Sequence, residues 1–138
     1  MNLFVELFQK TVGILGYGNI GSLLYELLKP FNCNILIFEE NKIRKLFEKT
    51  DICVNLVGIL FEQKKGNTFK NIHTVFPSLL AKLSKEYNIK HFIHLSALGI
   101  NESVDSDYAK SKLDGENEIL KNFPLVTILR PSICYSVE

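Results

Sequence analysis

The sequence has little net charge. Lysine and arginine number 16 against 15 aspartate and glutamate in 138 residues, a net charge of +1. That balance excludes the basic footprint of a nucleic-acid surface. The most cationic stretch, NKIRKLFEK from Asn41 to Lys49, reads as the solvated face of a helix. Cysteine is also scarce. Cys33, Cys53 and Cys134 stand far apart, with no CxxC and no Cys/His spacing suited to a metal. An odd count in apolar surroundings points to reduced, buried thiols and a cytoplasmic compartment. Long apolar runs are missing too. The longest, VNLVGILF from Val54 to Phe61, is too short to span a bilayer. The opening MNLFVELFQK has no basic n-region and carries Glu6, which excludes a secretory signal. A place peripheral to a membrane complex stays compatible with all of this.

What is present is alternation. Apolar residues make up 46% and charged residues 22%, close to globular averages, and the length suits one domain spanning residues 1–138. Short apolar runs predict strands at Thr11–Leu15, Asn34–Phe38, Ile52–Val57, His91–Leu95 and Val126–Leu129. Between them lie helical patterns. Ile20, Leu23, Leu24, Leu27 and Leu28 share one helix face before Pro30. A short helix fits Asn41–Lys49. A long one fits Phe69–Tyr87, with Ile72, Val75, Phe76, Leu79, Leu80 and Leu83 inward and a kink or start near Pro77. Another fits Asp105–Lys121, weakened locally by Gly115. Strands alternating with helices predict βαβ units: a three-layer α/β, Rossmann-like, doubly wound parallel sheet.

The first chemistry-bearing motif is GYGNIG, residues 16 to 21. Gly16 permits a tight turn out of the strand, Gly18 lets the backbone approach a pyrophosphate, and Gly21 lets helix and strand pack closely. Tyr17, Asn19 and Ile20 complete the loop. An anion there would meet the free N–H groups and dipole of the helix N-terminus. Glu39 ends the second strand, where a carboxylate accepts hydrogen bonds from ribose hydroxyls and repels a 2′-phosphate. The expected cofactor is NAD or NADP, with NAD favoured. The stretch ELFQKTVGILGYGNIGSLLYELLKPFNCNILIFEE, within residues 6–51, resembles the NAD-binding segment of the D-2-hydroxyacid dehydrogenases. That resemblance implies cofactor roles for Gly16, Gly18, Gly21 and Glu39. The catalytic Arg, Glu and His motifs of that family are not found in this sequence.

The remainder resembles a different family. VNLVGIL, HLSALG, YAKSK and ILRPS, within residues 51–136, are similar in order and spacing to an atypical, extended-type short-chain dehydrogenase/reductase. The nearest likeness is to the accessory-subunit branch of NADH:ubiquinone oxidoreductase (complex I) and its bacterial relatives. The resemblance implies that Tyr108 is the acid/base. It implies that Lys112, four residues on, lowers the phenol pKa and holds the nicotinamide ribose. Ser96 would orient a substrate oxygen. Asn55 and Gly58 would face the cofactor, and Arg130, Pro131 and Ser132 would lie near the nicotinamide. Bland alternatives exist: Ser96 capping a strand end, Asn55 satisfying buried backbone, and His73, His91 and His94 as packing or surface residues.

Two departures from the family pattern shape the expectation. Between Glu39 and Asp51 there is room for only one short helix, which predicts five strands in the order 2-1-3-4-5 and an open adenine site. After RPS only ICYSVE follows, which predicts a domain without a C-terminal substrate lobe. Such a chain fits a fragment, a truncated gene, or a recombined or designed joining of two Rossmann families. The main functional expectation is a dinucleotide-binding domain with a binding or assembly role and little turnover. The alternatives are an active NAD(P)-dependent oxidoreductase or sugar-nucleotide epimerase using Tyr108, Lys112 and Ser96, and a non-binding interaction module. Expected partners are the dinucleotide, a second copy of the chain, or a respiratory complex.

Overall fold

The computed structural model describes residues 7, 9–15, 19–38, 43–62, 67–103 and 105–132. Five parallel strands form one sheet: β1 (Thr11–Leu15), β2 (Asn34–Phe38), β3 (Ile52–Asn55), β4 (His91–Leu95) and β5 (Thr127–Leu129). Their order is β2-β1-β3-β4-β5, as the sequence predicts. The connections carry α1 (Asn19–Leu28), α2 (Ile43–Phe47), α3 (Phe76–Glu86) and α4 (Asp107–Asn122). Among the described residues, no helix is long and apolar enough to cross a membrane.

Side-chain alternation along the strands sends residues to two opposite cores. Ile52 and Val54 join Val12, Ile14 and Leu28, with Leu24 and Tyr25 of α1 packed against them. Cys53 points the other way, into a core of Leu80, Leu83, Phe92, Ile119 and Phe123 under α3 and α4. Each fully buried Leu, Ile or Phe contributes about 2 kcal/mol by leaving water. Burial also pushes the Cys53 thiol pKa up, so it stays protonated. Cys33 is half-buried, and Cys134 lies outside the described residues.

Asp51 ties the N-terminal ends of three strands. Its carboxylate accepts from the Thr11 N–H at 3.2 Å and from Lys90 Nζ at 3.0 Å. Its backbone bonds to Thr11 O and the Lys90 N–H. The sheet is thus fastened at the end opposite the glycine loop.

Three features differ from the sequence expectation. β3 stops at Asn55, short of Val57, because the Asn55 side chain takes the Val57 N–H at 3.1 Å and turns the chain out of the ladder. The helix predicted over Phe69–Tyr87 begins with a π-wound turn, Lys70–Val75, in which the Phe76 N–H reaches back five residues to Asn71 O. Pro77 follows at once and has no N–H to return to His73 O, so the wide turn coincides with the proline. The inward face of this helix is as predicted at Ile72, Leu80 and Leu83, with Phe76 half-buried, but not throughout. Val75 and Leu79 are exposed, while His73, Pro77, Ser78, Ala81 and Ser84 face in.

The small residues allow close approach to α4. At Gly115 an added Cβ would lie 1.8 Å from His73 O, so only glycine admits this backbone contact. Gly115 is therefore a packing requirement more than a weak point in the helix. α4 itself starts at Asp107, capped by Ser106 Oγ accepting from the Ala109 N–H at 3.3 Å.

Candidate functional site

In a parallel sheet of this order, β1 is followed by β2 on one side and β3 on the other. The crevice at that switch point, beyond the carboxyl ends of the strands, is where ligands sit. On the β3 side of that switch point, past the carboxyl ends of β3, β4 and β5, the described residues form a cleft of about 1090 Å³. Its walls come from the loops after β3, β4 and β5, and its floor from α4. Gly58, Ser96, Tyr108, Lys112, Pro131 and Ser132 all line it. The residues predicted from four separated motifs thus meet in one place.

The loops are held in register by extensions of the β4–β5 pairing. The Ser96 N–H donates to Leu129 O at 2.7 Å, and the Leu98 N–H to Pro131 O at 2.9 Å. Lys112 reaches from α4 to donate to Leu95 O at 3.3 Å. Its ammonium is buried at the base of the cleft, 5.9 Å from the Tyr108 ring centroid. Burial lowers the Lys112 pKa, and the nearby Glu116 carboxylate opposes that shift.

Burial raises the Tyr108 phenol above its usual value.

Beneath the cleft is a buried polar layer. Asn55 and His94 are side by side on β3 and β4, both almost fully buried. Asn55 Nδ2 donates to His94 Nδ1 at 3.0 Å, and its Oδ1 is taken by Val57. Asn55 therefore does not line the cleft; it finishes the strand ends. Glu116 is 1% exposed and receives a two-pronged bond from Arg130, through Nε at 2.9 Å and through Nη2. Burial raises the Glu116 carboxyl, but Arg130, with Ser96 and His94 adding, holds it below the usual carboxylate range. Arg130 is committed to this pair and is not among the cleft-lining residues.

The Ser96 hydroxyl is buried at the cleft wall on the Glu116 side, where it helps hold that carboxyl down. Among the described residues, His94 Nε2 has no hydrogen-bond partner.

The other half of the predicted site is only partly visible. Asn19, Ile20 and Gly21 open α1, as a pyrophosphate-binding helix start requires. Gly16, Tyr17, Gly18 and Glu39 lie outside the described residues. Ser111 and Glu116 escaped the sequence reading, and His73, read there as a packing or surface residue, is buried. His94 carried a signal: it shares strand parity with buried Phe92. Glu116 carried a weaker one, its i,i+4 spacing from Lys112.

The comparisons agree with both resemblances. Residues 2–61 match the family described as D-isomer specific 2-hydroxyacid dehydrogenase, NAD binding domain. The chain is 31% identical over 100 residues to mitochondrial NADH dehydrogenase [ubiquinone] 1 alpha subcomplex subunit 9 of Mus musculus. That alignment covers 72% of this chain and 26% of the mouse protein. It is also 43% identical over 58 residues to the mitochondrial formate dehydrogenase of Solanum tuberosum, covering 42% of this chain and 14% of that enzyme. Among solved structures, the UDP-glucuronic acid 4-epimerase of Bacillus cereus in complex with NAD superposes with a TM-score of 0.72 at 20% identity. It covers 88% of this chain and 55% of that chain. The fold is therefore Rossmann-like. The chain spans about a quarter to two fifths of the first curated relatives it matches.

Proposed function

We propose that this chain is a nicotinamide-dinucleotide-binding domain. Its role resembles that of the respiratory NADH dehydrogenase subunit to which it is similar: binding or assembly, with little turnover. The observation that carries the reading is the cleft itself. It lies at the carboxyl ends of a parallel sheet in the order β2-β1-β3-β4-β5, and the buried Lys112 ammonium and Ser96 both line it. A bound dinucleotide would supply hydride transfer. The chain's own residues would do the holding. Asn19, Ile20 and Gly21, with Gly16, Tyr17 and Gly18, would cradle the pyrophosphate. Gly58 and Pro131 would flank the nicotinamide half, Lys112 would donate to a ribose hydroxyl, and Asn55 would act indirectly by shaping the exit of β3. Glu39 would favour NAD over NADP.

A second reading, an active oxidoreductase or epimerase, is favoured by one observation: Ser96, Tyr108 and Lys112 share the same cleft. In the Mus musculus relative and its kin, the matched region is part of a longer protein, so a respiratory-complex partner or a second copy of the chain belongs to the proposal.

Titration with NADH and NADPH, followed by nicotinamide fluorescence, tests the reading beside a Gly18→Asp control. Saturable binding lost in the control is expected, with NADH tighter. A cooperatively melting protein that binds neither would overturn it. For the second reading, turnover that disappears in Tyr108→Phe is the required result.

A further inference from the structure

Behind the cleft wall is a cluster centred on His73, on the π-wound turn. The ring is 1% exposed. It stacks on Phe69, centroids 5.4 Å apart at 18°, and meets Tyr108 edge-on at 5.2 Å and 86°. Phe69 also meets Tyr108 edge-on at 5.8 Å. The two ring nitrogens serve different walls. The Ile59 N–H donates to Nε2 at 3.0 Å. A backbone amide can only donate, so Nε2 holds the lone pair and Nδ1 holds the proton. Nδ1–H then donates to Ser111 Oγ at 2.9 Å, and that hydroxyl donates to Tyr108 O at 2.7 Å. The chain of bonds runs one way, from the loop after β3, through the imidazole, to the first turns of α4. It closes around Gly58, where an added Cβ would lie 3.3 Å from Lys112 Nζ and 3.7 Å from His73 Nε2.

We propose that His73 is a positioning residue: as a neutral, Nδ1-protonated ring it sets the spacing between the Gly58–Ile59 wall and the Tyr108–Lys112 face of α4. The inference rests on the reading of the cleft as a dinucleotide site. A doubly protonated ring could not accept from Ile59. Burial, with the Lys112 charge beside it, pulls His73 down to about 4, which keeps this tautomer in place at neutral pH.

Two variants of the full chain separate positioning from packing. His73→Phe keeps a ring against Phe69 and Tyr108 and removes both hydrogen bonds. His73→Gln gives up the ring and returns an acceptor within reach of the Ile59 amide. Positioning predicts that His73→Phe weakens NADH binding about tenfold and that His73→Gln recovers it to within about threefold. The reverse ranking would mean packing only and would overturn the proposal. Ligand-free measurements stand beside this. Nitrogen-15 shifts of the His73 ring should report protonated Nδ1 at neutral pH. Exchange of the Ile59 amide should accelerate about tenfold in His73→Phe. The Ile89 amide, bonded to Ser84 O, should not change. A protonated Nε2, or an unchanged Ile59 amide, would also overturn the proposal. If the wild type binds no dinucleotide while ring and amide behave as stated, the cofactor reading fails and the positioning role stands.

Discussion

The two sides of the sheet bury opposite kinds of side chain. On the α1 side the buried cluster is aliphatic, yet Leu23 and Leu27 of α1 are 60% and 59% exposed. On the α3–α4 side, apolar residues are buried together with His73, Ser111, Lys112 and Glu116, and the site rests on that polar layer. The difference teaches that buried polarity bridged between elements, as from Ile59 through His73 to Ser111, marks the side of the fold that carries the cleft.

Acid should break the comparison most. His73 and His94 are both held near 4 in the fold against 6.5 in the free residue, chiefly by burial. A depressed histidine pKa contributes stability that is present above 6.5 and lost as pH falls towards 4. Two such groups steepen the loss towards a limit of about 2.7 kcal/mol per pH unit in that window. Urea midpoints at several pH values across it should fall accordingly. A flat profile would mean that the polar layer is open to water.

Gly115→Ala comes next. Its methyl would meet His73 O, so α3 and α4 must part, and a loss of about 3 kcal/mol is expected despite alanine's better helix propensity. Equal or higher stability would show that the helices pack elsewhere. Glu116→Gln should cost about 2 kcal/mol by leaving Arg130 with a neutral partner. Because the fold holds the Glu116 carboxyl below its ordinary 4.5, its contribution is present above that value and fades as pH falls through the lower one. The variant should therefore lose least, relative to wild type, in strong acid. The smallest effect belongs to the α1 side. Leu23→Gln and Leu27→Gln should each shift stability by less than about 0.5 kcal/mol, read from denaturant midpoints. A large loss there would reveal a surface that is covered in solution.

Much of this was legible in the sequence. Five apolar runs separated by helical spacing marked the strands, because parallel strands covered on both faces are mainly apolar, and their order came from the departure from the short-chain dehydrogenase pattern between Glu39 and Asp51. Tyr108, Lys112, Ser96, Gly58 and Pro131 were legible as motifs, and the fold gathers them into one cleft. The inward face of the helix around Pro77 was legible in part: Ile72, Leu80 and Leu83 are buried as periodicity predicts, whereas Val75 and Leu79 are exposed and Ser78, Ala81 and Ser84 are buried. The tie between Ile59, His73 and Ser111 was not legible, since it joins residues that only tertiary packing brings together.

The Asp51 tie has a consequence for tolerance to change. It fastens β1, β3 and β4 at the end of the sheet away from the cleft. Changes in the loops that follow β3 and β4 leave those Asp51 bonds untouched, so β1, β3 and β4 keep one fixed end. Such a scaffold can be retuned towards new ligands, or allowed to lose turnover altogether, while its architecture persists.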